Sequence, residues 1–368
     1  VFIDSGYEAI SPPIIQKADI FLDVIGEVLR GRTYVFTDPE GEELCLRPDL
    51  TVPTCRYYLE KPDTGYDLRQ YCYHGPAFRY QALGTASTHP REFSQAGIET
   101  FGTKLREHTD ANTMAIILKA IKSLGLNDTT LRIGDIGIFR ALIKAIDMPE
   151  RWRQLLIRLF WKPISFRAEL KRFTEPRSLT LQTIPQELQN SIDVHDLQRS
   201  EKAVIEYLSA KGFDPYGTRT VKEITQNLMW RLLDTKANPL SIEKATLIEK
   251  YLSIRGPVKQ VQDELRKLLQ TSGIDITATL DSFEMRLQFL SETGVDVSQI
   301  EFSAEFGRQM AYYTGFIFEI ISPLLGFDSP IAGGGRYDDL LKAVGAKTNI
   351  PAVGGAIHTE RLLKAMGE

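Results

Sequence analysis

Four clusters of polar residues in the sequence have the composition of a small-molecule binding site. The first is Arg47-Pro48-Asp49-Leu50-Thr51, which stands between a strand-like and a helix-like segment. The carboxylate of Asp49 and the hydroxyl of Thr51 could receive an ammonium group. Aspartate is also common at helix N-termini, so this segment by itself favours a capping role for Asp49.

The second cluster lies on two strand-like segments that flank a polar stretch, which is predicted to be a mobile loop. Phe78-Arg79-Tyr80 ends the first segment, and Arg91-Glu92-Phe93-Ser94-Gln95-Ala96-Gly97-Ile98-Glu99 opens the second. Side chains of a strand alternate between its faces, so Gln95 and Glu99 share one face with Gly97 between them. The pattern predicts a gap at Gly97 in which a small ligand could lie. A solvated outer face explains it equally well.

The third cluster, Gly307-Arg308-Gln309-Met310-Ala311-Tyr312-Tyr313-Thr314-Gly315, joins an arginine to a pair of tyrosines. The guanidinium group of Arg308 has the donor fork that suits a carboxylate, and the hydroxyls of Tyr312 and Tyr313 suit the edge of an imidazole. The alternative interpretation is a surface arginine beside aromatic residues of the core.

The fourth cluster is the glycine run Gly333-Gly334-Gly335-Arg336-Tyr337-Asp338, followed later by Val353-Gly354-Gly355-Ala356-Ile357-His358-Thr359-Glu360-Arg361. Consecutive glycines weaken a sheet because they have no side chain to pack. Their presence predicts that a ligand or another backbone segment approaches closely.

The composition is that of an ordinary globular protein with a large core. The chain has 368 residues, of which 43% are hydrophobic and 25% charged, and its length suggests about two structural units. No apolar run is long enough to span a membrane and no signal peptide is recognised, which predicts a cytoplasmic protein. Cys45, Cys55 and Cys72 have no disulfide or zinc-ligand spacing, so no metal is expected. The net charge of -4 predicts no general attraction to nucleic acid.

The elements that must position these clusters are predicted from the spacing of apolar residues. Apolar side chains recur at intervals of three and four over residues 14–30, which predicts a long helix. Short strands around 34–36 and 43–46 flank the turn 38–41, whose proline and glycine suit a hairpin. The remaining predicted strands cover 70–78, 93–101, 130–133, 301–304, 312–321 and 353–357, and the remaining helices 51–58, 109–124 and 359–366.

The pattern changes between about residues 138 and 290, where it is almost wholly helical and polar. A parallel sheet requires strands that alternate regularly with helices. Outside this stretch the predicted strands and helices do not alternate in this way. The predicted fold class is therefore α+β. An antiparallel core is expected from residues 1–137 and 291–368, and a mainly helical insertion from residues 138–290.

Taken together and in this order, the clusters resemble the catalytic core of histidyl-tRNA synthetase, a class II aminoacyl-tRNA synthetase. Residues 6–12 are similar to motif 1 of that class, residues 78–99 to motif 2 and residues 354–361 to motif 3. Residues 312–315 and 333–338 resemble the two histidine-specific signatures. The resemblance implies a class II synthetase-like sheet flanked by helices, and it spans nearly the whole chain apart from the insertion.

The amino-acid half of the family's site matches this sequence well. Asp49 stands where the family has a longer glutamate, and the other histidine-binding positions carry the family's residues. The resemblance therefore implies histidine binding by Asp49, Thr51, Arg79, Gln95, Glu99, Arg308, Tyr312 and Tyr313.

The nucleotide half of the family's site departs from the pattern. Gln81 replaces a glutamate that contacts adenine, and His358 replaces the motif 3 glycine that lets ATP lie against the strand. Gln309 and Ala311 replace a glycine and an aspartate of the histidine signature, and no anticodon-binding domain follows motif 3. The resemblance thus implies a vestigial nucleotide pocket formed by Arg91, Gln81, His358 and Arg361.

This combination resembles the synthetase-like regulatory subunits of ATP phosphoribosyltransferase. The resemblance implies a subunit that is not an enzyme and has no cofactor, in which free histidine acts as feedback effector on a short-form catalytic subunit. It also implies a homodimer, formed through the motif 1 helix, within a hetero-octamer. The alternatives are a truncated synthetase or ligase that adenylates histidine, and a sensing module cut from a longer protein.

Overall fold

The structure is a computed structural model that describes residues 1–22, 30–61, 67–82, 89–175, 184–213, 220–306 and 312–367. The chain divides into two compact units. Unit 1 comprises Val1–Ala145 and Glu249–Glu368, and unit 2 comprises Ile146–Ile248. Within the described ranges, no helix is both long and apolar enough to cross a membrane.

The described strands all lie in unit 1. They are β1 (Glu8–Ala9), β2 (Ile15–Lys17), β3 (Val35–Thr37), β4 (Glu43–Leu46), β5 (Arg69–Phe78), β6 (Glu92–Phe101), β7 (Thr130–Asp135), β8 (Arg255–Pro257), β9 (Ile300–Ser303), β10 (Phe316–Ile321), β11 (Ala332–Arg336) and β12 (Ala352–His358). Nine form one sheet in the order β1-β5-β6-β12-β11-β10-β7-β9-β8, and β2-β4-β3 form a small second sheet. The β1–β5 and β7–β9 pairs are parallel. The predicted α+β fold is confirmed, with an antiparallel centre in a mixed sheet.

The helices are distributed over both units. They are α1 (Ala18–Leu22), α2 (Thr51–Leu59), α3 (Arg106–Ser123), α4 (Ile136–Ala145), α5 (Glu150–Leu159), α6 (Pro163–Thr174), α7 (Gln186–Ser191), α8 (Leu197–Ala210), α9 (Val221–Lys236), α10 (Ile242–Ser253), α11 (Val258–Ser272), α12 (Thr277–Glu292), α13 (Leu340–Ala343) and α14 (Thr359–Met366). Unit 2 covers fewer residues than the predicted insertion, residues 138–290. The reason is that α11 packs on β8 and β9, and α12 packs on α3, so both helices belong to unit 1.

The helix predicted over residues 14–30 begins later than expected. Ile15–Lys17 forms β2, which pairs antiparallel with β4, and α1 follows it. Gln16 explains the difference, because its side chain is buried between two exposed neighbours and accepts a hydrogen bond from Arg56 (3.1 Å). This alternation is that of a strand rather than a helix. Residues 23–29 of the predicted helix lie outside the described ranges.

Another predicted element is shorter than expected. The strand predicted over 312–321 begins at Phe316. The residues before it turn away from the ladder, because Thr314 donates its amide hydrogen to the carbonyl oxygen of Arg336 (2.8 Å). This turn brings Tyr312 next to Tyr337, directly after the end of β11.

The glycine run in β11 allows neighbouring backbones to lie close together. A Cβ atom at Gly334 would lie 2.1 Å from the carbonyl oxygen of Gly354, and one at Gly335 would lie 2.5 Å from that of Phe316. Both distances are shorter than a van der Waals contact, so a side chain at either position would force the strands apart. At these two glycines the close neighbour is therefore another strand.

Helix α3 covers one face of the sheet, called here the back face. A Cβ atom at Gly355 would contact the side chain of Ile117 in α3, whereas one at the preceding residue would meet Glu99 on the front face. The helix is tied to its surroundings by Asp110, which is 0% exposed. Its carboxylate accepts hydrogen bonds from Nε of Arg286 in α12 (2.9 Å) and from Nε of Arg336 in β11 (2.8 Å).

Replacing Asp110 should destabilise unit 1 strongly. Asp110→Ala leaves two buried arginines short of a counter-charge, and breaking a buried ion pair in this way costs about 3–5 kcal/mol. We expect a loss of that size in the free energy of unfolding, measured by urea titration followed by circular dichroism. The exposed Asp128 provides the control, since Asp128→Ala should change stability by less than about 0.5 kcal/mol. Equal losses in the two variants would contradict this role of Asp110.

Candidate functional site

A cavity opens on the front face of the sheet, where the four predicted clusters meet. We call it the front cavity. Its walls come from the start of α2, from β6, from the ends of β11 and β12, and from the turn before β10. The predicted site residues that line it are Asp49, Thr51, Arg79, Gln95, Tyr312, Tyr313, His358 and Arg361. The other lining residues are 330–333, Tyr337 and 354–356.

Asp49 presents a buried carboxylate to this cavity. The residue is 2% exposed, and its Oδ1 atom accepts a hydrogen bond from the amide of Val52 in the first turn of α2 (3.2 Å). Its Oδ2 atom is buried and has no hydrogen-bond partner among the described residues. Burial raises the pKa of the carboxyl group, and the charge of Arg79 opposes that rise. One carboxylate oxygen therefore caps the helix, and the other faces the cavity side without a donor among the described residues.

Glu99 lies behind the wall of the cavity rather than in it. It is 1% exposed, and its Oε1 atom accepts hydrogen bonds from the hydroxyls of Thr51 (2.8 Å) and Tyr73 (3.0 Å). Its Oε2 atom accepts from the hydroxyl of Tyr337. Burial raises the pKa of Glu99 to about 7, against the effect of these three donors, and the charge of Asp49 adds to the rise. Glu99 thus holds Thr51 and Tyr337, which do line the cavity.

The gap predicted beside Gly97 does not exist. Gly97 pairs with Tyr73 across the β5–β6 ladder, and a Cβ atom at Gly97 would lie 2.6 Å from the hydroxyl of Tyr73. The space is filled by this phenol, which reaches over the glycine to Glu99. The sequence-based reasoning missed both Tyr73 and Tyr337, although Tyr337 stands inside the glycine motif. A large residue facing a glycine is a signal that becomes visible only once the strand register is known.

Gln95 and the tyrosine pair line the same part of the cavity as Asp49. The Oε1 atom of Gln95 accepts a hydrogen bond from the amide of Leu50 (3.3 Å), which fixes the side chain beside the start of α2. The rings of Tyr312 and Tyr313 are buried, with centroids 4.9 Å apart, and Tyr312 meets Tyr337 edge to face at 5.8 Å. These rings form an aromatic wall. Arg308 lies outside the described residues.

His358 occupies the opposite end of the cavity. Its ring stacks on Phe93, with centroids 4.5 Å apart and an angle of 11° between the planes. Burial lowers the pKa of His358 to about 2, with further lowering from the positive charges of Arg361 and Arg79. The imidazole is therefore neutral, and it covers one face of the Phe93 ring. The guanidinium carbon of Arg79 lies 5.0 Å from the centroid of the same ring.

The four residues predicted to form the vestigial nucleotide pocket do not all meet. His358 and Arg361 line the cavity, and Nη1 of Arg361 donates to the carbonyl oxygen of Pro330 (3.0 Å). Arg91 instead donates through Nε to the backbone carbonyl of Gln81 (3.0 Å), and neither residue lines the cavity. The central part of the predicted loop between β5 and β6, residues 83–88, lies outside the described ranges.

Metal and thiol chemistry find little support in this site. The described residues contain no cluster of three or more histidine, cysteine, aspartate or glutamate side chains placed to hold a metal ion. Cys45, Cys55 and Cys72 are free and buried. Burial raises the pKa of Cys55 well above its usual value, which keeps this thiol protonated at neutral pH. The polar groups that line the cavity are carboxylate, hydroxyl, amide, phenol, imidazole and guanidinium groups.

The sequence matches known proteins over nearly its whole length. The family profile described as histidyl-tRNA synthetase matches residues 1–202 and 202–362. An ATP phosphoribosyltransferase regulatory subunit of Chelativorans sp. (strain BNC1) is 34% identical over 357 residues, which cover 96% of this chain and 92% of that protein. A protein of the same name from Brucella anthropi is 31% identical over 362 residues, covering 98% and 94%.

Solved structures share the fold. An ATP phosphoribosyltransferase regulatory subunit/histidyl-tRNA synthetase from Bacillus halodurans C superposes with a TM-score of 0.68 at 21% identity, covering 99% of this chain and 76% of that chain. Histidyl-tRNA synthetase from Nostoc sp. PCC 7120 gives a TM-score of 0.61 at 20% identity, covering 99% and 69%. The predicted class II synthetase-like fold is thereby confirmed.

The raised pKa of Glu99 should be visible in the pH dependence of stability. Between the unfolded pKa, about 4.3, and the folded pKa of about 7, the folded chain binds more protons than the unfolded chain. The Glu99 carboxyl therefore makes the free energy of unfolding fall as pH rises through this window, with no further fall above it. Glu99→Gln abolishes this titration, so its stability relative to the natural chain should rise from pH 5 to pH 7.

The measurement is urea denaturation of both proteins at half-unit pH steps. Glu92→Gln is the control, since Glu92 is exposed at the start of the same strand. Its stability relative to the natural chain should stay nearly constant over the same pH range. If the stability of Glu99→Gln relative to the natural chain is also constant over this pH range, the folded pKa of Glu99 is not raised.

Proposed function

The chain belongs to the ATP phosphoribosyltransferase regulatory subunits of histidine biosynthesis, within the histidyl-tRNA synthetase family, and we propose that it binds free histidine in the front cavity as feedback effector. The single observation that carries the proposal is the buried, unpartnered Oδ2 atom of Asp49 at the cavity wall. A buried carboxylate oxygen without a donor is costly unless a cationic ligand supplies one. The ammonium group of a free amino acid is such a ligand.

The surroundings of Asp49 suit the rest of an amino acid. Thr51 and Gln95 line the cavity next to it, and both are fixed by hydrogen bonds of their own. Tyr312 and Tyr313 provide an aromatic wall with hydroxyl groups, which matches the flat polar ring of an imidazole. In this proposal Arg308 and Arg79 are the cations available to the α-carboxylate, and Glu99 acts as a positioning residue.

We propose further that the chain does not activate histidine with ATP. Family synthetases carry a glycine where this chain has His358, and the imidazole here stacks on Phe93 inside the cavity. A buried neutral ring at that place excludes a nucleotide base from the same face. Gln81 and Arg91 add nothing to the nucleotide side, because they bond each other outside the cavity.

Feedback control requires that histidine binding be coupled to the partner. A regulatory subunit acts with a catalytic subunit, here proposed to be the short form of ATP phosphoribosyltransferase. Coupling follows if histidine binds more tightly to an inhibited than to an active assembly, with a coupling free energy of about 1–3 kcal/mol. We propose that the assembly is a hetero-octamer containing homodimers of this chain.

Asp49→Asn tests the proposed ammonium contact. The substitution keeps the size of the side chain but removes the charge, so histidine should bind at least thirtyfold more weakly, equivalent to about 2 kcal/mol or more. Isothermal titration of histidine into the full chain measures the dissociation constant. Glu43→Gln removes an exposed carboxylate from β4 and should leave the constant unchanged. Unchanged binding by Asp49→Asn would place the histidine site elsewhere.

The rival function, adenylation of histidine by a truncated synthetase, predicts a different result. The purified chain should show no histidine-dependent exchange of pyrophosphate into ATP, because His358 blocks the nucleotide side of the cavity. A bacterial histidyl-tRNA synthetase in the same assay serves as positive control. Exchange at a rate comparable with that of the control enzyme would overturn the regulatory proposal in favour of the enzyme.

A further inference from the structure

A second cavity lies in unit 1 and shares no lining residue with the front cavity. Its volume is about 600 Å³. The first turns of helices α3, α4 and α12 meet at its walls, together with the ends of β7 and β11. We call it the second cavity. None of the residues assigned above to histidine or nucleotide binding lines it.

Arg286 contributes a buried guanidinium group to this cavity. The residue is 5% exposed and lies in α12. Its Nε atom donates to Asp110 (2.9 Å) and its Nη1 atom to Asp135 (2.7 Å). The remaining nitrogen, Nη2, has no hydrogen-bond partner in the described part of the chain. Because Arg286 lines the second cavity, this nitrogen is a donor available to a ligand there.

The carboxylates around the second cavity all have donors from the protein, and the four of them, Glu107, Asp135, Asp338 and Asp339, equal the arginines of the wall in number. Asp135 also accepts from the amide of Gly137 (2.8 Å). Asp338 is bonded by Nη1 of Arg336 (2.8 Å) and lies 3.1 Å from Nη2 of Arg106. Glu107 accepts from the hydroxyl of Ser282. The acids of the wall thus accept hydrogen bonds from the protein, whereas Nη2 of Arg286 has no acceptor among the described residues.

Two arginines of the wall are partly exposed. Arg140 donates two long hydrogen bonds to Oδ2 of Asp339, from Nη1 (3.5 Å) and Nη2 (3.4 Å), and Arg106 is about half exposed. The N-termini of α3, α4 and α12 add the positive ends of three helix dipoles. A planar arginine fork combined with helix N-termini is the donor set that phosphates and carboxylates prefer in proteins.

We propose that the second cavity binds an oxyanion, a phosphate or carboxylate group, through Arg286, Arg140 and Arg106. The anion accepts from Nη2 of Arg286 at the floor of the cavity. Arg140 and Arg106 supply further hydrogen bonds to the anion, while Asp339 and Asp338 keep their donors Asn349 and Arg336. This site is independent of histidine binding, and the inference does not need the proposed function to be correct.

The two cavities are connected by shared segments of chain. Tyr337 bonds Glu99 beside the front cavity, whereas its neighbours Arg336 and Asp338 line the second cavity. Asp338 donates its amide hydrogen to the hydroxyl of Thr314 (3.1 Å), which follows directly after the tyrosine pair of the front cavity. If the proposed function holds, an oxyanion in the second cavity should therefore change the affinity for histidine.

The test is isothermal titration of inorganic phosphate, and separately of succinate, into the full chain at constant ionic strength. We expect saturable binding of at least one of them. Arg140→Ala should weaken it at least fivefold, and the double variant Arg106→Ala with Arg140→Ala should abolish it. Arg69→Ala removes an exposed arginine of β5 and should have no effect. The stronger of the two anions identifies the ligand as a phosphate or a carboxylate compound.

Three outcomes would overturn the proposal. The first is that neither anion binds the natural chain. The second is that Arg140→Ala and Arg69→Ala weaken binding equally, which would indicate general surface attraction. The third is that Arg361→Ala abolishes binding while Arg140→Ala does not, which would place the anion in the front cavity. Because no histidine is present, a failure of the proposed function leaves this result unaffected.

Discussion

The buried carboxylate of Glu99 is the constraint on which the front cavity depends. A carboxylate with 1% exposure must be supplied with hydrogen-bond donors by the fold itself. Those donors come from Thr51 in α2, Tyr73 in β5 and Tyr337 after β11. The same group forbids a side chain at Gly354, where a Cβ atom would lie 1.5 Å from Oε2. One buried carboxyl group therefore fixes how a helix and three strands meet.

On the back face of the sheet, a second buried carboxylate is stabilised by ion pairs. Asp110 has no exposure, and its two arginines are held by further carboxylates from β7 and from the end of β11. Because alternate residues of a strand end project to opposite faces, Arg336 and Asp338 serve this cluster while Tyr337 serves Glu99. A change at Glu99 or at Asp110 thus acts on the same segment, residues 336–338. This is the physical basis for expecting the two cavities to influence each other.

The two ends of the front cavity carry different chemical groups. At one end a carboxylate oxygen of Asp49 is buried beside an aromatic wall and has no hydrogen-bond partner among the described residues. At the other end the wall carries the stacked, neutral imidazole of His358. The proposed regulatory function follows from this contrast, since recognition needs only the first end and adenylation needs both.

The sequence by itself determined the fold class, the family and eight of the residues that line the front cavity, but not Tyr337. Those features rest on residue types and short-range spacing, such as the turn at 38–41 and the helix after Thr51. Tertiary structure decided the contacts that depend on strand register and long-range packing. It placed Tyr73 over Gly97, made Ile15–Lys17 a strand, and brought Arg286 to Asp110 across 176 positions of the chain. No local sequence pattern encodes these contacts, because each of them joins segments that are far apart in the chain.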